Sequence, residues 1–562
     1  MHFAKVISGV LIIFLILCHC GCAAKRPPKR PPNIVVILAD DLGSNDVSFR
    51  GSSQIPTPNI DALGYQGVIL NRHYTPALCS PSRAALLTGK YPIHLGMQHS
   101  VIVSDEPWSL PMNEKTLPEY LKECGSYRTH MVGKWHLGFA RKDFTPLQRG
   151  FDSHFGPWGP SLSYFSKRFL MPWEPFFDGH DMRRNENVTY ESPGGYITDI
   201  LTDEAVRVIR RHQQETDKPL FLLVTHIAPH AAEADNPLQA PREEILKFGY
   251  IEDPERRIYA AMVASLDRSV GKIVMALQET ELLRNSLILF YSDNGAPTKG
   301  LYSTTGSNFP LKGQKSSPWE GGMRMPAVIW SPLIEKRHRV SDEVIYSTDW
   351  LPTFLGLCRT DPPTGIDGYD VWRTISRNKA SPRHEILHNI DPILGYSSYY
   401  RDGWKYVNGT TSGGKFDDWL GHVVGADKTP AANAYAELVM KSPTWRALAP
   451  LAFRRLKVAD IQELRQKAQI KCSAPWKATP CHALRSPCLF NLKHDPCEEN
   501  NLAERFPRIV KEMAERVQVF EGSALPPRNA PQDPMSNPAL WNDVWVSWLD
   551  ELQMPKVRIK LN

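Results

Sequence analysis

Asn33-Ile34-Val35-Val36-Ile37-Leu38-Ala39-Asp40-Asp41 is an apolar, β-branched run that ends in two adjacent carboxylates. An unbroken apolar run of this length reads as a strand buried on both faces of a parallel sheet. Similar runs recur at Thr129–Val132, Leu220–Thr225, Leu287–Tyr291 and Ala327–Trp330. Helical patterns lie between them. In Pro254–Glu279 the residues Ile258, Met262, Leu266, Val270, Ile273 and Leu277 recur at spacings of three and four, and Tyr196–His212 is a second such segment. Strands alternating with helices predict an α/β fold with a mostly parallel sheet covered by helices.

The residues that follow these runs are suited to chemistry. Ile34–Leu38 leads to Asp40 and Asp41, Thr129–Val132 to Lys134 and His136, Leu220–Thr225 to His226 and His230, and Leu287–Tyr291 to Asp293 and Asn294. In open parallel sheets ligands bind beyond the carboxyl ends of the strands, so these groups are expected to share one cleft. Asp40, Asp41, Asp293 and Asn294 offer only oxygen, the donor set of a hard cation such as Ca²⁺ or Mg²⁺. Taken alone, Asp-Asp-Leu-Gly or Asp-Asn-Gly reads as a turn. Both pairs at strand ends favour a metal site.

The chain has 562 residues, 42% hydrophobic and 22% charged, with a formal charge of +6. This is globular composition, and the mild basic excess is too diffuse for nucleic-acid binding. Lys5 followed by the apolar run Val6–Leu17 and small residues up to Ala24 has the form of a cleaved signal peptide, residues 1–24. A Pro-rich basic linker, 25–32, follows. No other stretch is long and apolar enough to span a bilayer, so no stable membrane insertion is expected. Beyond the signal lie Cys79, Cys124, Cys358, Cys472, Cys481, Cys488 and Cys497. An odd number in a secreted chain assigns one thiol another task, and with Cys79 set apart the other six can form three bridges. Asn187-Val188-Thr189 and Asn408-Gly409-Thr410 are glycosylation sequons. After about residue 380 the texture changes to short strands, Ser397–Val407 and Cys488–Leu492, and a helical stretch at Pro443–Gln469. This predicts a catalytic domain over 33–380 and a smaller α+β domain over 381–562. Trp541, Trp545 and Trp548 recur at helical spacing and are expected to pack onto the main domain.

Cys79-Ser80-Pro81-Ser82-Arg83, continuing to Leu87-Thr88-Gly89, resembles the signature of the sulfatase family. The resemblance extends to Pro32–Gly43, Thr57–Leu63, Gly133-Lys134-Trp135-His136-Leu137-Gly138, Ser292–Gly295 and Trp319-Glu320-Gly321-Gly322. Gly96–His99, Ser347–Thr353 and Leu387–Pro392 are similar in style to the arylsulfatase B group, N-acetylgalactosamine-4-sulfatase. The resemblance implies an alkaline-phosphatase-like core and conversion of Cys79 to formylglycine by the formylglycine-generating enzyme. It also implies one Ca²⁺ held by Asp40, Asp41, Asp293, Asn294 and the converted Cys79. Arg83 would hold the hydrated aldehyde and shield the carboxylates, Lys134 and Lys315 would bind sulfate, His136 would orient or deprotonate a formylglycine hydroxyl, and His230 would contact sulfate and protonate the leaving oxygen. His226 is left as a supporting candidate. Locally, Ser80 is expected to cap a helix that starts at Pro81, which places Cys79 at a helix N-terminus that favours anions. The implied substrate is a sulfate ester, with 4-sulfated N-acetylgalactosamine in glycosaminoglycans as the leading candidate, and the implied location is the lysosome or the extracellular space. Two rivals remain. A phosphatase or phosphodiesterase of the same superfamily would present Ser or Thr and His-bound zinc, and a non-catalytic binder of sulfated glycans would have a broken metal set or signature.

Overall fold

The computed structural model describes residues 30–52, 54–300, 302–422, 432–472 and 479–552. The signal peptide and most of the basic linker lie outside these. The strands that matter here are β1 (Asn33–Ala39), β2 (Val68–Tyr74), β3 (Arg128–Gly133), β4 (Ser153–Gly156), β5 (Leu220–Thr225), β6 (Ser286–Ser292), β7 (Ala327–Trp330) and β8 (Arg339–Tyr346). They belong to one 11-stranded sheet with the order β2-β7-β6-β1-β5-β3-β4 along its centre and β8 paired with β2. Strands β6, β1, β5, β3 and β4 are mutually parallel. Every residue of β1, β5 and β6 is buried, as their unbroken apolar runs require.

β7 departs from expectation. It belongs to the sheet but runs antiparallel to both neighbours, β6 and β2. Burial on two faces yields the same apolar run in either direction, so periodicity cannot assign the sense.

Helix α1 spans Pro58–Gln66, α2 Cys79–Thr88, α3 Ile197–Glu215 and α4 Pro254–Glu279. Helix α4 starts where Pro254 follows Asp253, whose carboxylate accepts from the Glu255 and Arg256 amides. Helices α3 and α4 pack together, and α3 also lies on β3 and β5. The Pro443–Gln469 stretch resolves into α6 (Pro443–Leu448) and α7 (Val458–Ala468), preceded by α5 (Ala432–Lys441). These return to α1 and α4 and bury Trp445, Leu448 and Ile461 in the core of the large sheet.

A four-stranded antiparallel sheet forms from β9 (Glu385–Asp391), β10 (Tyr396–Arg401), β11 (Trp404–Asn408) and β12 (Cys488–Asn491), with α8 (Pro507–Glu521) packed on it. Its core continues into the main body through Tyr74, Trp319, Met323 and Tyr346. A buried ion network ties the two. The Lys405 ammonium lies 3.1 Å from Glu320 and 2.7 Å from Glu498, all three side chains being fully buried. Glu320 also accepts from the Tyr74 hydroxyl at 2.9 Å. Cys124–Cys358, Cys472–Cys497 and Cys481–Cys488 are bonded, and Cys79 is the free cysteine among the described residues.

The tryptophan segment is not one helix. Pro538–Trp541 is a single 3₁₀ turn, Asn542 and Asp543 adopt left-handed backbone, and a short helix resumes at Trp548. Two successive left-handed residues break helical continuity. The packing role holds: Trp545 lies on Phe169 and Trp548 on Phe139.

Two glycines set the spacing at the carboxyl ends of the strands. Gly133 has φ +117°, and a Cβ there would meet the Thr225 carbonyl oxygen at 1.9 Å; at Gly295 it would meet the Gly321 carbonyl oxygen at 1.9 Å. Backbones approach this closely only where no side chain intervenes. Gly133→Ala is therefore expected to destabilise the protein by at least ~2 kcal/mol, read from the urea midpoint of unfolding. An unchanged midpoint would show that the β3–β5 junction tolerates a side chain.

Candidate active site

The four strands that end in chemistry are adjacent, in the order β6-β1-β5-β3. Hydrogen bonding continues past their ends. The Asp293 amide donates to Ala39, Lys134 to Thr225 and His226 to Leu38, at 3.0, 2.9 and 3.0 Å. The residues that follow are thus placed by the sheet itself. Asp41 and His136 have φ of 64° and 60°. Left-handed backbone at such residues is uncommon, and here it sits where two strands turn into the cleft.

Helix α2 enters the cleft with its first turn. Its helical conformation starts at Cys79, with Leu78 as the flanking residue, so Ser80 is not the cap. The Ser80 hydroxyl instead donates to the His136 carbonyl at 2.9 Å and accepts from the Ile102 amide at 3.0 Å. These partners outcompete the local cap and bind the helix start to the loop after β3. Pro81 still falls in the first turn, where its missing N–H leaves no bond unmade. The Cys79 thiol is buried and lies 3.4 Å from Asp40 and 3.9 Å from Asp41.

The charged groups interlock. The Lys134 ammonium donates to Asp40 at 2.6 Å, and the Lys315 ammonium to Asp41 at 2.7 Å. Arg83 donates from Nε and Nη2 to Asp293 at 3.2 and 2.9 Å, and from Nη1 to the Lys134 carbonyl at 2.7 Å. Three carboxylates thus face three cations out of water. Burial alone would raise the Asp40 carboxyl, but Lys134, His230, Arg83 and Lys315 outweigh it and hold Asp40 well below the usual range. Burial and the neighbouring Asp40 push Asp293 up against the pull of Arg83 and Lys134. Burial, then Asp293, raises the Cys79 thiol well above its ordinary value.

Both site histidines have one nitrogen tied to a carbonyl, which assigns the tautomer. His136 Nε2 pairs with the Ile102 carbonyl at 3.0 Å, and its buried Nδ1 has no partner. His230 Nδ1 pairs with the Ala231 carbonyl at 2.6 Å, which leaves Nε2, 3.5 Å from Asp41, as the face turned to the cleft. Burial lowers His230 to about 4 against Asp41 and Asp40, and burial with Lys134 and Arg83 lowers His136 well below its ordinary value. Both rings are neutral at pH 7. His226 is elsewhere: its Nε2 meets the Ser269 hydroxyl of α4 at 2.8 Å.

The carboxylate oxygens gathered here suit a hard cation, and a thiol and an imidazole, softer donors, lie among them. Asp40, Asp41, Cys79 and His230 bring ligand atoms within 4.8 Å of one another. Asp293 and Asn294 adjoin them: the Asp41 amide donates to Asp293 at 3.2 Å, and Asn294 Nδ2 donates to Asp41 at 2.6 Å. Asn294 Oδ1 is buried without a hydrogen-bond partner, an oxygen that a cation would satisfy. The sequence assigned His230 to substrate, and the structure sets it beside the carboxylates as well.

Asn187 and Asn408 are both exposed, at strand ends far along the chain from these residues. Sequence reasoning missed the Ile102 carbonyl that fixes His136, and Tyr302, whose ring lies 5.9 Å from that of His230. An ordinary Ile and a lone Tyr in a loop carry no sequence signal.

Residues 32–360 match the family described as Sulfatase. Mouse arylsulfatase J is 38% identical over 525 residues, covering 92% of this chain and 81% of that protein. Human N-acetylgalactosamine-6-sulfatase is 32% identical, covering 69% of this chain and 74% of its own. The solved structure described as Ps i-CgsB in complex with k-i-k-neocarrahexaose superposes with a TM-score of 0.69 at 26% identity, covering 91% of this chain and 97% of that one. With the signature cysteine at the carboxyl ends of four parallel strands and relatives matching along most of its length, the chain belongs to the sulfatase family.

Proposed function

We propose that the chain hydrolyses sulfate esters on sugars, with Cys79 acting after oxidation to formylglycine by the formylglycine-generating enzyme. The setting of Cys79 carries this reading: an unpaired, buried thiol in the first turn of α2, against Asp40 and Asp41 and near Lys134, Lys315 and His230. As a protonated thiol it is a poor nucleophile at neutral pH. Asp40, Asp41, Asp293 and Asn294 would hold one Ca²⁺, which would acidify a hydroxyl of the oxidised, hydrated side chain; that hydroxyl oxygen would bond to sulfur as the sugar oxygen leaves, and loss of the second hydroxyl's proton would re-form the aldehyde as the C–O bond to sulfate breaks.

The chain's other residues prepare that event. Lys134 and Lys315 are fixed by Asp40 and Asp41, so their ammonium groups meet sulfate oxygens without first being ordered. Arg83, clamped on Asp293 and the Lys134 carbonyl, offsets the carboxylate charge and keeps α2 against β3. His136, whose buried Nδ1 has no hydrogen-bond partner, is read as the acceptor of a proton from the hydrated aldehyde. A bound sulfate ester adds negative charge beside His230, which raises that ring's affinity for a proton. Protonated at Nε2, His230 hands the proton to the sugar oxygen as the S–O bond breaks.

We infer a sulfated amino sugar as substrate, with 4-sulfated N-acetylgalactosamine first and the 6-sulfated isomer as its competitor. The arylsulfatase B-like motifs support the first, and a relative named N-acetylgalactosamine-6-sulfatase supports the second. Hydrolysis of the two monosulfates side by side decides between them. Three disulfides and two exposed sequons support passage through the secretory route to a lysosomal or extracellular destination. Among the described residues no helix is long and apolar enough to cross a membrane.

Mass spectrometry of the tryptic peptide containing Cys79, from protein secreted by a eukaryotic host, is expected to show thiol-to-aldehyde conversion. An unmodified thiol in a host that converts other sulfatases would leave a binding protein as the better reading. His230→Gln is expected to lower kcat/KM on a sugar sulfate by ~10²–10⁴-fold, and at least ~10-fold less on an activated aryl sulfate whose leaving oxygen needs no proton. Equal losses on the two would take the acid role from His230. Chelation is expected to lower the thermal midpoint and stop turnover, with Ca²⁺ or Mg²⁺ restoring both. Restoration by Zn²⁺ alone would overturn the oxygen-donor assignment.

A further inference from the structure

Tyr302 is not among the residues that the family signature or the metal site uses, yet its ring stands beside His230, the group read as the acid for the leaving oxygen. Its ring lies 5.9 Å from the His230 ring at 44°, and the Lys315 ammonium lowers the affinity of its phenol for a proton while burial raises it. The residue is half-buried.

This placement is built into the loop. The Lys299 amide donates to the Gln314 side chain at 3.0 Å, and that side chain donates back to the Lys299 carbonyl at 2.9 Å. Gln314 adjoins Lys315, so the Tyr302 loop and the sulfate-facing lysine are parts of one braced piece. Asn308 clamps the start of the loop, accepting from the Ala296 amide at 2.9 Å and donating to its carbonyl at 2.8 Å. The Thr304 amide closes the turn onto Pro297 at 3.0 Å, and Arg256 holds the Thr305 carbonyl at 2.9 Å. Tyr302 itself has φ 58°, a strained conformation for an aromatic residue. Strain of this kind persists only where the surroundings over-determine it, and it concentrates at ligand clamps.

We propose that Tyr302 is a specificity residue whose ring packs on the apolar face of the sugar that carries the sulfate. The inference rests on the reading of His230 and Lys315 as the groups around the scissile bond. A sugar ring joined to the oxygen that His230 serves lies beside the side chain that packs on His230, and Tyr302 is that side chain. The face of an aromatic ring rewards a ligand with a C–H face and gives nothing to free sulfate.

The test uses the full chain carrying Cys79→Ala, so that ligand is not consumed, and calorimetry with two probes, N-acetylgalactosamine 4-sulfate and inorganic sulfate. Adding Tyr302→Ala is expected to weaken the sugar sulfate about 10-fold and leave inorganic sulfate within about 2-fold, while Tyr302→Phe keeps sugar affinity within about 3-fold. Equal weakening of both probes would show that Tyr302 only supports His230 and Lys315, and no change in either would remove it from the site. In the chain with Cys79 intact, Tyr302→Ala is expected to raise KM for the sugar sulfate with kcat within about 2-fold. Absence of turnover before Tyr302 is changed, with the binding difference present, would reject the hydrolase reading and leave the sugar contact standing.

Discussion

The Asp40 carboxylate is completely buried and stable there because cations from two other elements reach it. Lys134, just past β3, lies 2.6 Å away, and Arg83 of α2 lies 3.6 Å away. A buried carboxylate without such partners would be protonated or would force the structure apart. Asp40 therefore binds the ends of β1 and β3 and the start of α2 into one unit. Arg83 extends that unit to β6 through Asp293, and Lys315 extends it to the following loop through Asp41. Stability and reactivity draw on the same charges. Neutralising any one of them leaves its partner uncompensated in a dry site.

Most of this was legible because the parallel sheet writes its core and its site in one line of sequence. Ile34–Leu38 is unbroken because both faces of β1 are covered, and the first polar residues after it have nowhere to point except the cleft. The same holds for Lys134 and Asp293, whereas after β5 the first polar residue, His226, turns to Ser269 of α4 and the later His230 reaches the cleft. Helix α4 was legible to the residue, since Asp253-Pro254 marks its start and its apolar stripe is regular. What escaped has physical reasons. β2 carries Asn71, Arg72 and His73, whose burial depends on partners such as Asp342 and Trp350 that no local pattern reveals. The antiparallel sense of β7 leaves no trace in a strand buried on both faces. Ser80 had the residue type of a cap, but its hydroxyl was claimed by Ile102 and His136, which are remote in sequence.

The small sheet shows the same limit at larger scale. Its strands could be read from Ser397–Val407 and Cys488–Leu492, while its attachment could not. Lys405, Glu320 and Glu498 come from three segments, and only the fold reveals that the Trp319-Glu320-Gly321-Gly322 motif anchors the small sheet. That anchor matters to the site. The Gly295 amide donates to the Gly322 carbonyl at 3.1 Å, so the turn that carries Asp293 and Asn294 rests on the segment that Lys405 holds.

A shared fold leaves phosphatase and binding-protein readings to be judged by the site alone. Charge separates them. A sulfate monoester carries one negative charge, whereas a phosphate monoester approaches two at neutral pH because its second pKa is about 6. Here Lys134, Lys315 and Arg83 are already paired with three carboxylates, so in the proposed mechanism the surplus positive charge that an anionic ester meets would come from a divalent ion. Such a surplus would exceed the charge of a sulfate monoester and only match that of a phosphate monoester. A binder of sulfated glycans would need the lysines but not a neutral His136 with a free nitrogen, nor a thiol held unpaired among carboxylates that raise its proton affinity. Those two features have a cost in a folded protein, and the hydrolysis proposed above would use both.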